Sequence, residues 1–194
     1  MSESPDPRWR GVNHLALVTN DMDATVRFYH GVLGARLVTH LGNEHLRHYF
    51  FEIGPEQTVA FFEYKKFKVK AFAKPAGIPD PRAVQFDHLS LNVADEHALE
   101  ELQARLKAHD CEVTDVVDHD FVRSIYFTDN NGIALEASWW VTDATGREAD
   151  YGDEHLFSDA DPVPAVVEIA AGGLATTGTP TALVQEATDI PDPA

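Results

Sequence analysis

The sequence predicts an α+β fold that consists of two tandem βαβββ modules. The first observation is a repeat, because the strand-like stretch VNHLAL around His14 returns as FDHLSL around His88. The second observation is a matching end, because Glu136 in IALEASWW follows His88 at nearly the same distance along the chain as Glu63 in AFFEY follows His14. A nearly constant internal spacing of this kind is typical of duplicated structural units.

The first module is predicted to span residues 10–64, after a short polar tail at residues 1–9. Its first strand leads to a helix that either Asp21 or Asp23 can cap, and an apolar stripe at helical spacing follows. Three strand candidates come next, namely RLVTHL, LRHYFFEI and TVAFFEY, and the turn GPEQ separates the last two.

The second module is predicted at residues 86–140 and repeats this order. Asp95 caps a helix with a leucine stripe, and the strands CEVTDVV, VRSIYFT and IALEASWW follow. Residues 65–85 are predicted to link the modules, since this stretch is too rich in Lys and Pro for a central strand. Residues 141–194 form an acidic extension, and we expect its last twenty residues or so to be mobile.

Composition excludes several classes of function. The formal net charge of −17 argues against nucleic acid and against anionic membrane surfaces as partners, because both are bound through Lys and Arg. The single cysteine, Cys111, excludes an intramolecular disulfide and a cysteine-rich zinc site. The N-terminal sequence carries no apolar secretory signal and no stretch is apolar enough to span a membrane, so the predicted compartment is the cytoplasm.

The repeated histidines and glutamates lie on a particular face of their strands. Side chains alternate along a strand, so His88 shares a face with Ser90 and Asn92, while the leucines between them point the other way. The aliphatic face is expected to pack on the helices. The face that carries His and Glu beside small or polar side chains is predicted to be the wall of a cleft.

A cleft with two imidazoles and one or two carboxylates suggests a metal site. A buried carboxylate is usually paired or bound to a metal, and this donor set suits Zn, Ni, Mn or Fe(II). An alternative interpretation is that two His–Glu pairs hold a curved sheet together, although buried pairs of this kind contribute little net stability.

The repeat and its His and Glu positions resemble the vicinal oxygen chelate superfamily, which includes glyoxalase I, extradiol dioxygenases, epimerases and antibiotic-resistance proteins. The resemblance covers about residues 10–140. It implies that the two modules form a curved, incompletely closed sheet around a metal-binding cleft. It also implies a divalent metal bound by His14, Glu63, His88 and Glu136, a small-molecule substrate, and a homodimer.

Two enzymatic interpretations of this resemblance compete. A glyoxalase-I-like lyase or isomerase would use all four ligands with Ni, Co or Zn. An extradiol dioxygenase would use His14, His88 and Glu136 to bind Fe(II), and Glu63 would not be a ligand. We favour the dioxygenase, acting on a catechol-like aromatic molecule. A metal-free drug-binding protein is a third interpretation, against which the presence of all four ligand positions argues.

Three further residues favour the dioxygenase by resemblance. In VDHDFVRSIYFTDNNGIALE, His119 and Tyr126 match the order of the extradiol signature, although Asn130 stands where that signature has proline. In LRHYFF, His48 matches the position of the acid–base histidine of these enzymes. Histidine titrates near neutrality, so His48 suits proton transfer.

Overall fold

The computed structural model describes residues 11–82 and 86–174. The chain divides into two compact units, residues 1–145 and 146–194, and the first unit contains both modules. The N-terminal tail lies outside the described residues, and so do the last twenty residues, for which mobility was predicted. Among the described residues, no helix is both long and apolar enough to cross a membrane. The cytoplasmic compartment stays a prediction.

The first module has the predicted order of one strand, one helix and three strands. Its elements are β1 (His14–Val18), α1 (Met22–Val26), a π-helical continuation (Arg27–Val32), β2 (Arg36–Gly42), β3 (Leu46–Gly54) and β4 (Gln57–Tyr64). The second module repeats this order with β5 (Leu89–Asn92), α2 (Glu96–Ala108), β6 (Val117–Asp118), β7 (Val122–Thr128) and β8 (Ala134–Trp140). The predicted α+β class and the duplication are therefore confirmed.

The two helices begin where the sequence predicts. The Asp21 carboxylate accepts a hydrogen bond from the backbone N–H of Ala24 at 3.0 Å, and the Asp95 carboxylate accepts one from Ala98 at 2.8 Å. Each aspartate satisfies a backbone donor that the first helical turn leaves unpaired. Leu99 on α2 is fully buried, so the apolar stripe of this helix faces the core as expected.

The predicted strand CEVTDVV is mostly irregular, which corrects the prediction for this segment. Only Val113, in a single bridge to Phe127, and the short strand β6 pair with β7 within the described chain. The reason lies in Thr114, whose hydroxyl oxygen accepts a hydrogen bond from the backbone N–H of Tyr126 at 3.0 Å. This side chain takes a donor that a regular strand partner would use, and the ladder is interrupted there.

Each module forms its own open four-stranded sheet. The strand orders are β1-β4-β3-β2 and β5-β8-β7-β6, with the first and last strand of each module parallel and the other neighbours antiparallel. Both sheets share one hydrophobic core with the helices, in which Tyr29, Phe51, Leu106 and Leu135 are fully buried. The first and last strands, which carry or adjoin the candidate ligands, are therefore hydrogen bonded to one another in both modules.

A buried polar network joins the two modules. The Tyr29 hydroxyl donates to Asp129 at 3.1 Å, and the Thr19 hydroxyl donates to Asn131 at 2.6 Å. Burial raises the pKa of Asp129, although hydrogen bonds from Asn131, Ile133 and Tyr29 oppose this effect. These hydrogen bonds hold the turn DNNG at residues 129–132 of the second module against the helical segment of the first module.

The second unit contains one short helix, α3 (Pro164–Ala170), within its described residues. Pro164 occupies its first turn, where the missing N–H costs nothing. The residues before it, 146–161, form turns in which aspartate side chains accept hydrogen bonds from backbone N–H groups two residues later, as Asp150 does from Gly152 at 3.0 Å.

Candidate metal and substrate site

His14 lies at the first position of β1, and its side chain is exposed. β1 runs parallel to β4 with His14 opposite Thr58, so side-chain alternation places Ala60 and Phe62 on the same face as His14. The His14 ring lies 5.6 Å from the ring of Phe50 on β3. We call the face of the first sheet that carries His14, Phe50 and Phe62 the first site face.

His48 also lies on the first site face, among aromatic rings. Its ring stacks on Phe62 with centroids 3.6 Å apart and lies 4.2 Å from Phe50. Burial lowers the pKa of His48, and the nearby His14 lowers it further. Nε2 of His48 is buried and has no hydrogen-bond partner among the described residues. An unpaired ring nitrogen of a neutral imidazole can accept a proton once a donor reaches it.

Glu63 lies on the opposite face of the first sheet, and the structure does not bring it to His14. The register that pairs His14 with Thr58 leaves Glu63 on the helix-facing side with Phe61. There Glu63 forms an ion pair with Arg47, and Lys68 Nζ lies 3.6 Å from its other oxygen. This carboxylate therefore has two cations as partners and does not fit a metal site that includes His14.

His88 and Glu136 are in direct contact. His88 immediately precedes β5, and its Nε2 lies 2.8 Å from Oε2 of Glu136 on β8. The other Glu136 oxygen accepts a hydrogen bond from the hydroxyl of Ser124, which is fully buried. We call the face of the second sheet that carries His88, Glu136 and Tyr126 the second site face.

Asp87 occupies the other side of the His88 ring. Oδ1 of Asp87 lies 2.6 Å from Nδ1 of His88, and Oδ2 lies 2.9 Å from Nζ of Lys74. The hydrogen bond with His88, together with those from Gly77 and Lys74, lowers the pKa of Asp87 well below its usual range. Lys74 itself is buried, so this ion pair connects the linker to the second site face.

His119 and Tyr126, both predicted catalytic residues, are also neighbours. Nε2 of His119 lies 2.9 Å from the Tyr126 hydroxyl oxygen. Burial raises the pKa of Tyr126, and the negative charge of Glu136 raises it further. The Tyr126 phenol therefore keeps its proton at neutral pH and can donate a hydrogen bond near Glu136.

The structure thus groups the predicted site residues by module. His14 and His48 belong to the first site face, and His88, Glu136, Tyr126 and His119 belong to the second or its border. Within residues 11–82 and 86–174 of one chain, no three His, Cys, Asp or Glu side chains lie close enough together to hold a metal ion.

The donor chemistry on the two faces fits a divalent metal in part. His88 and Glu136 supply an adjacent nitrogen and carboxylate oxygen, and His14 supplies a second exposed imidazole. Glu63 does not fit, because it lies on the other face of its sheet. The hydrogen-bond partners Asn13, Asp87 and Ser124 were missed by sequence reasoning, although Asn13 and Asp87 precede the two repeated histidines at equivalent positions of the repeat.

A cavity of about 720 Å³ opens beside the second site face. It lies between the linker and β7, and its lining includes Lys74, Ile78, Val113 and Tyr126. Its walls are mainly apolar, which suits an aromatic or aliphatic molecule.

Comparisons with known proteins agree with this architecture. The sequence pattern of the Glyoxalase/Bleomycin resistance protein/Dioxygenase superfamily matches residues 11–137. A crystal structure of a glyoxylase/bleomycin resistance protein/dioxygenase domain from Frankia sp. EAN1pec matches 68% of this chain and 98% of that chain, with 23% identity and a TM-score of 0.59.

Two other solved structures have similar folds, and one is named as a lyase and the other as an antibiotic binding protein. The lactoylglutathione lyase from Agrobacterium tumefaciens matches 68% of this chain and 95% of that chain, with 25% identity and a TM-score of 0.51. TnmS3, an antibiotic binding protein from Streptomyces sp. CB03234, matches 69% of this chain and 98% of that chain, with 15% identity and a TM-score of 0.51. One fold therefore carries both an enzyme and a binding protein, and the reaction must be argued from the site.

Proposed function

The chain belongs to the glyoxalase/bleomycin resistance protein/dioxygenase superfamily, and from this premise we propose that it is an Fe(II)-dependent ring-cleaving dioxygenase of catechol-like molecules. The observation that carries the proposal is the face on which Glu63 lies. With Glu63 paired to Arg47 on the helix side, the remaining donors are His14, His88 and Glu136. Two histidines and one carboxylate are the ligand set typical of non-haem Fe(II) oxygenases.

We infer further that the site forms between two copies of the chain in a homodimer. In this arrangement the first site face of one copy supplies His14, and the second site face of the other supplies His88 and Glu136. The absence of a three-residue metal group within the described part of one chain supports this inference. So does the exposure of Leu41 and Tyr64, which lie beside His48 and Phe62 on the first site face and are 57% and 38% exposed.

The side chains of the two faces suit the proton transfers of such a reaction. A bound Fe(II) would supply the centre that holds the catecholate and activates dioxygen. His48, whose lowered pKa keeps it neutral and whose Nε2 is unpaired in the described chain, would accept the proton of a catechol hydroxyl. Tyr126 would donate a hydrogen bond to a substrate oxygen, with His119 holding its hydroxyl. Phe50 and Phe62 would form an apolar wall against the aromatic ring.

A second candidate is a metal-free binding protein. It is favoured by one observation, namely that His88 and Glu136 already satisfy one another and have additional partners in Asp87 and Ser124. A four-ligand lyase or isomerase is less well supported, because it needs Glu63 as a ligand.

The test begins with the metal content of the purified protein and continues with anaerobic loading of Fe(II). We expect oxygen uptake on a panel of catechols with a yellow ring-fission product that contains both atoms of dioxygen. His48→Gln should lower kcat about 100-fold or more, whereas His97→Ala, at an exposed position of α2, should leave kcat unchanged.

Other outcomes would identify the other interpretations. Turnover of a thiohemiacetal or a CoA ester under Ni or Co, without oxygen uptake on any catechol, would support the lyase or isomerase. A protein that binds aromatic ligands equally well with and without metal, and turns over none of them, would support the binding protein.

A further inference from the structure

We propose that Asn13 and Asp87 are positioning residues, each of which holds one ligand histidine so that its Nε2 faces the metal. This inference rests on the proposed metal site and adds to it the residues that orient the ligands. The linker also contributes to the site, because Lys74 of the linker forms an ion pair with Asp87 and so helps to orient it.

The two contacts have the same geometry in the two modules. Oδ1 of Asn13 lies 2.7 Å from Nδ1 of His14, and Oδ1 of Asp87 lies 2.6 Å from Nδ1 of His88. In both pairs the partner is the residue immediately before the histidine, and in both the contacted nitrogen is Nδ1. The same contact at equivalent positions of the two modules indicates a repeated device rather than a chance neighbour.

The contact decides which ring nitrogen can bind a metal. An oxygen acceptor at Nδ1 requires the proton to be on Nδ1, and the lone pair of a singly protonated ring is then on Nε2. Nε2 of His88 lies 2.8 Å from Oε2 of Glu136, so a hydrogen bond joins the two proposed ligands in the metal-free chain, and a bound metal would take the place of its proton. Metal-binding histidines generally have such a partner on the other nitrogen, which fixes the ring and increases its basicity as a ligand.

The two partners are chemically different, and the difference predicts unequal ligands. A carboxylate can only accept, so Asp87 enforces the Nδ1–H form of His88. An amide presents either an acceptor or a donor after a flip of its side chain, so Asn13 enforces this form of His14 less strictly. His88 is therefore the more strongly oriented of the two histidines.

Two linker residues form hydrogen bonds with the carboxylate of Asp87. Nζ of Lys74 lies 2.9 Å from Oδ2 of Asp87, and the backbone N–H of Gly77 donates to Oδ1 at 2.7 Å. Lys74 is buried, and its ammonium also donates to the carbonyl of Pro75 at 3.1 Å. Two linker residues thus orient the Asp87 carboxylate independently of its contact with His88. Among the contacts of the described residues, His14 has no comparable support from the linker.

The first experiment measures binding of Co²⁺ to the purified full-length protein by calorimetry and by its visible absorption. We expect Asp87→Ala to weaken Co²⁺ binding about 10- to 100-fold and Asp87→Asn to recover most of this loss. Asn13→Ala should weaken binding by a smaller factor than Asp87→Ala. The matched control is Asp80→Ala, which removes a nearby linker carboxylate that pairs with Arg82 and should leave Co²⁺ affinity unchanged. Binding by Asp87→Ala within about twofold of wild type would overturn the proposal.

A second measurement separates this proposal from the proposed function. In the metal-free protein, ¹⁵N NMR of the imidazoles should show an Nδ1-bound proton of His88 that is protected from solvent exchange. This signal should be lost in Asp87→Ala and retained in Asp80→Ala. If wild type binds no Co²⁺ but the signal behaves in this way, the metal function fails and the positioning of His88 stands. A signal that is unchanged in Asp87→Ala would overturn the positioning itself.

Discussion

Arg47 on β3 and Glu63 on β4 lie directly opposite one another and form an ion pair on the helix-facing side of the first sheet. Met22 and Val26 of α1 line the same small cavity as this pair. The carboxylate that sequence spacing matches to Glu136 is therefore separated from His14 by the sheet itself. This relationship reduces the candidate ligands from four to three.

The first prediction concerns this difference between the two glutamates. Glu63→Gln should change the affinity for Co²⁺ or Fe(II) by no more than about twofold. It should cost about 1–2 kcal/mol of stability, because the buried side chain loses its charge but its amide oxygen can still accept a hydrogen bond from Arg47. Glu136→Gln should weaken metal binding by about 100-fold or more, which is beyond the effect of an outer partner. Equal losses in the two variants would return Glu63 to the ligand set.

The second prediction separates metal binding from folding at His88. His88→Ala should abolish metal binding and ring cleavage while the far-UV spectrum and the cooperative unfolding transition persist, because the ring lies outside the hydrophobic core. His97→Ala is the matched histidine control and should retain bound metal. An unfolded His88→Ala protein, together with a wild type that binds no metal, would favour a purely structural His–Glu pair.

The third prediction is that the loss of stability on truncating a leucine of α2 increases with the burial of that leucine. Leu106→Ala should lower the free energy of unfolding by about 2–5 kcal/mol, because Leu106 is fully buried and the truncation leaves a cavity. Leu102→Ala should cost less, about 1–2 kcal/mol, because Leu102 is only partly buried. Chemical denaturation measures both values. Equal costs would mean that α2 packs with a different face toward the core.

The fourth prediction is a pH dependence of stability that arises from Asp129. Burial raises the folded-state pKa of Asp129 above its ordinary value of 3.8, so the folded chain retains a proton that the unfolded chain has already lost. Stability due to this group therefore falls as the pH rises from 3.8 through the folded-state pKa. The stability of Asp129→Asn relative to wild type should accordingly increase across this window and stay constant above it.

Denaturation curves of both proteins at a series of pH values measure this difference. Tyr29→Phe provides a second check, because the Tyr29 hydroxyl lowers the pKa of Asp129 and its removal should extend the window to higher pH. A difference between Asp129→Asn and wild type that does not vary with pH would contradict the prediction.

The fifth prediction tests whether the site is shared between two copies of the chain. His14→Ala and His88→Ala should each be inactive alone. After the two variants are unfolded together and refolded, about half of the dimers should be mixed, and each mixed dimer should contain one intact site. About a quarter of the wild-type activity should therefore return. If each site belonged to one chain, the mixture would stay inactive.

Much of the fold and part of the candidate site were determined by the sequence. Asp21 and Asp95 cap the helices because a short acidic side chain before an apolar stripe satisfies the first free N–H groups, which is a local effect. The proximity of His88 to Glu136 was also predictable, because the first and last strands of one module carry or adjoin them and both lie on the same face. The repeat even extends to Asn13 and Asp87, which precede the two histidines.

Only the tertiary structure decided on which face of the first sheet the Glu63 side chain lies. Glu136 follows His88 by one residue fewer than Glu63 follows His14, and a strand reverses its faces with every residue. Whether that one residue matters depends on the register in which β1 pairs with β4, where His14 lies opposite Thr58. Register is fixed by hydrogen bonds between segments that are distant in the sequence and by the packing of Phe61 on the helix side. Local sequence patterns contain neither, so the side of the sheet on which Glu63 lies could be read only from the folded chain.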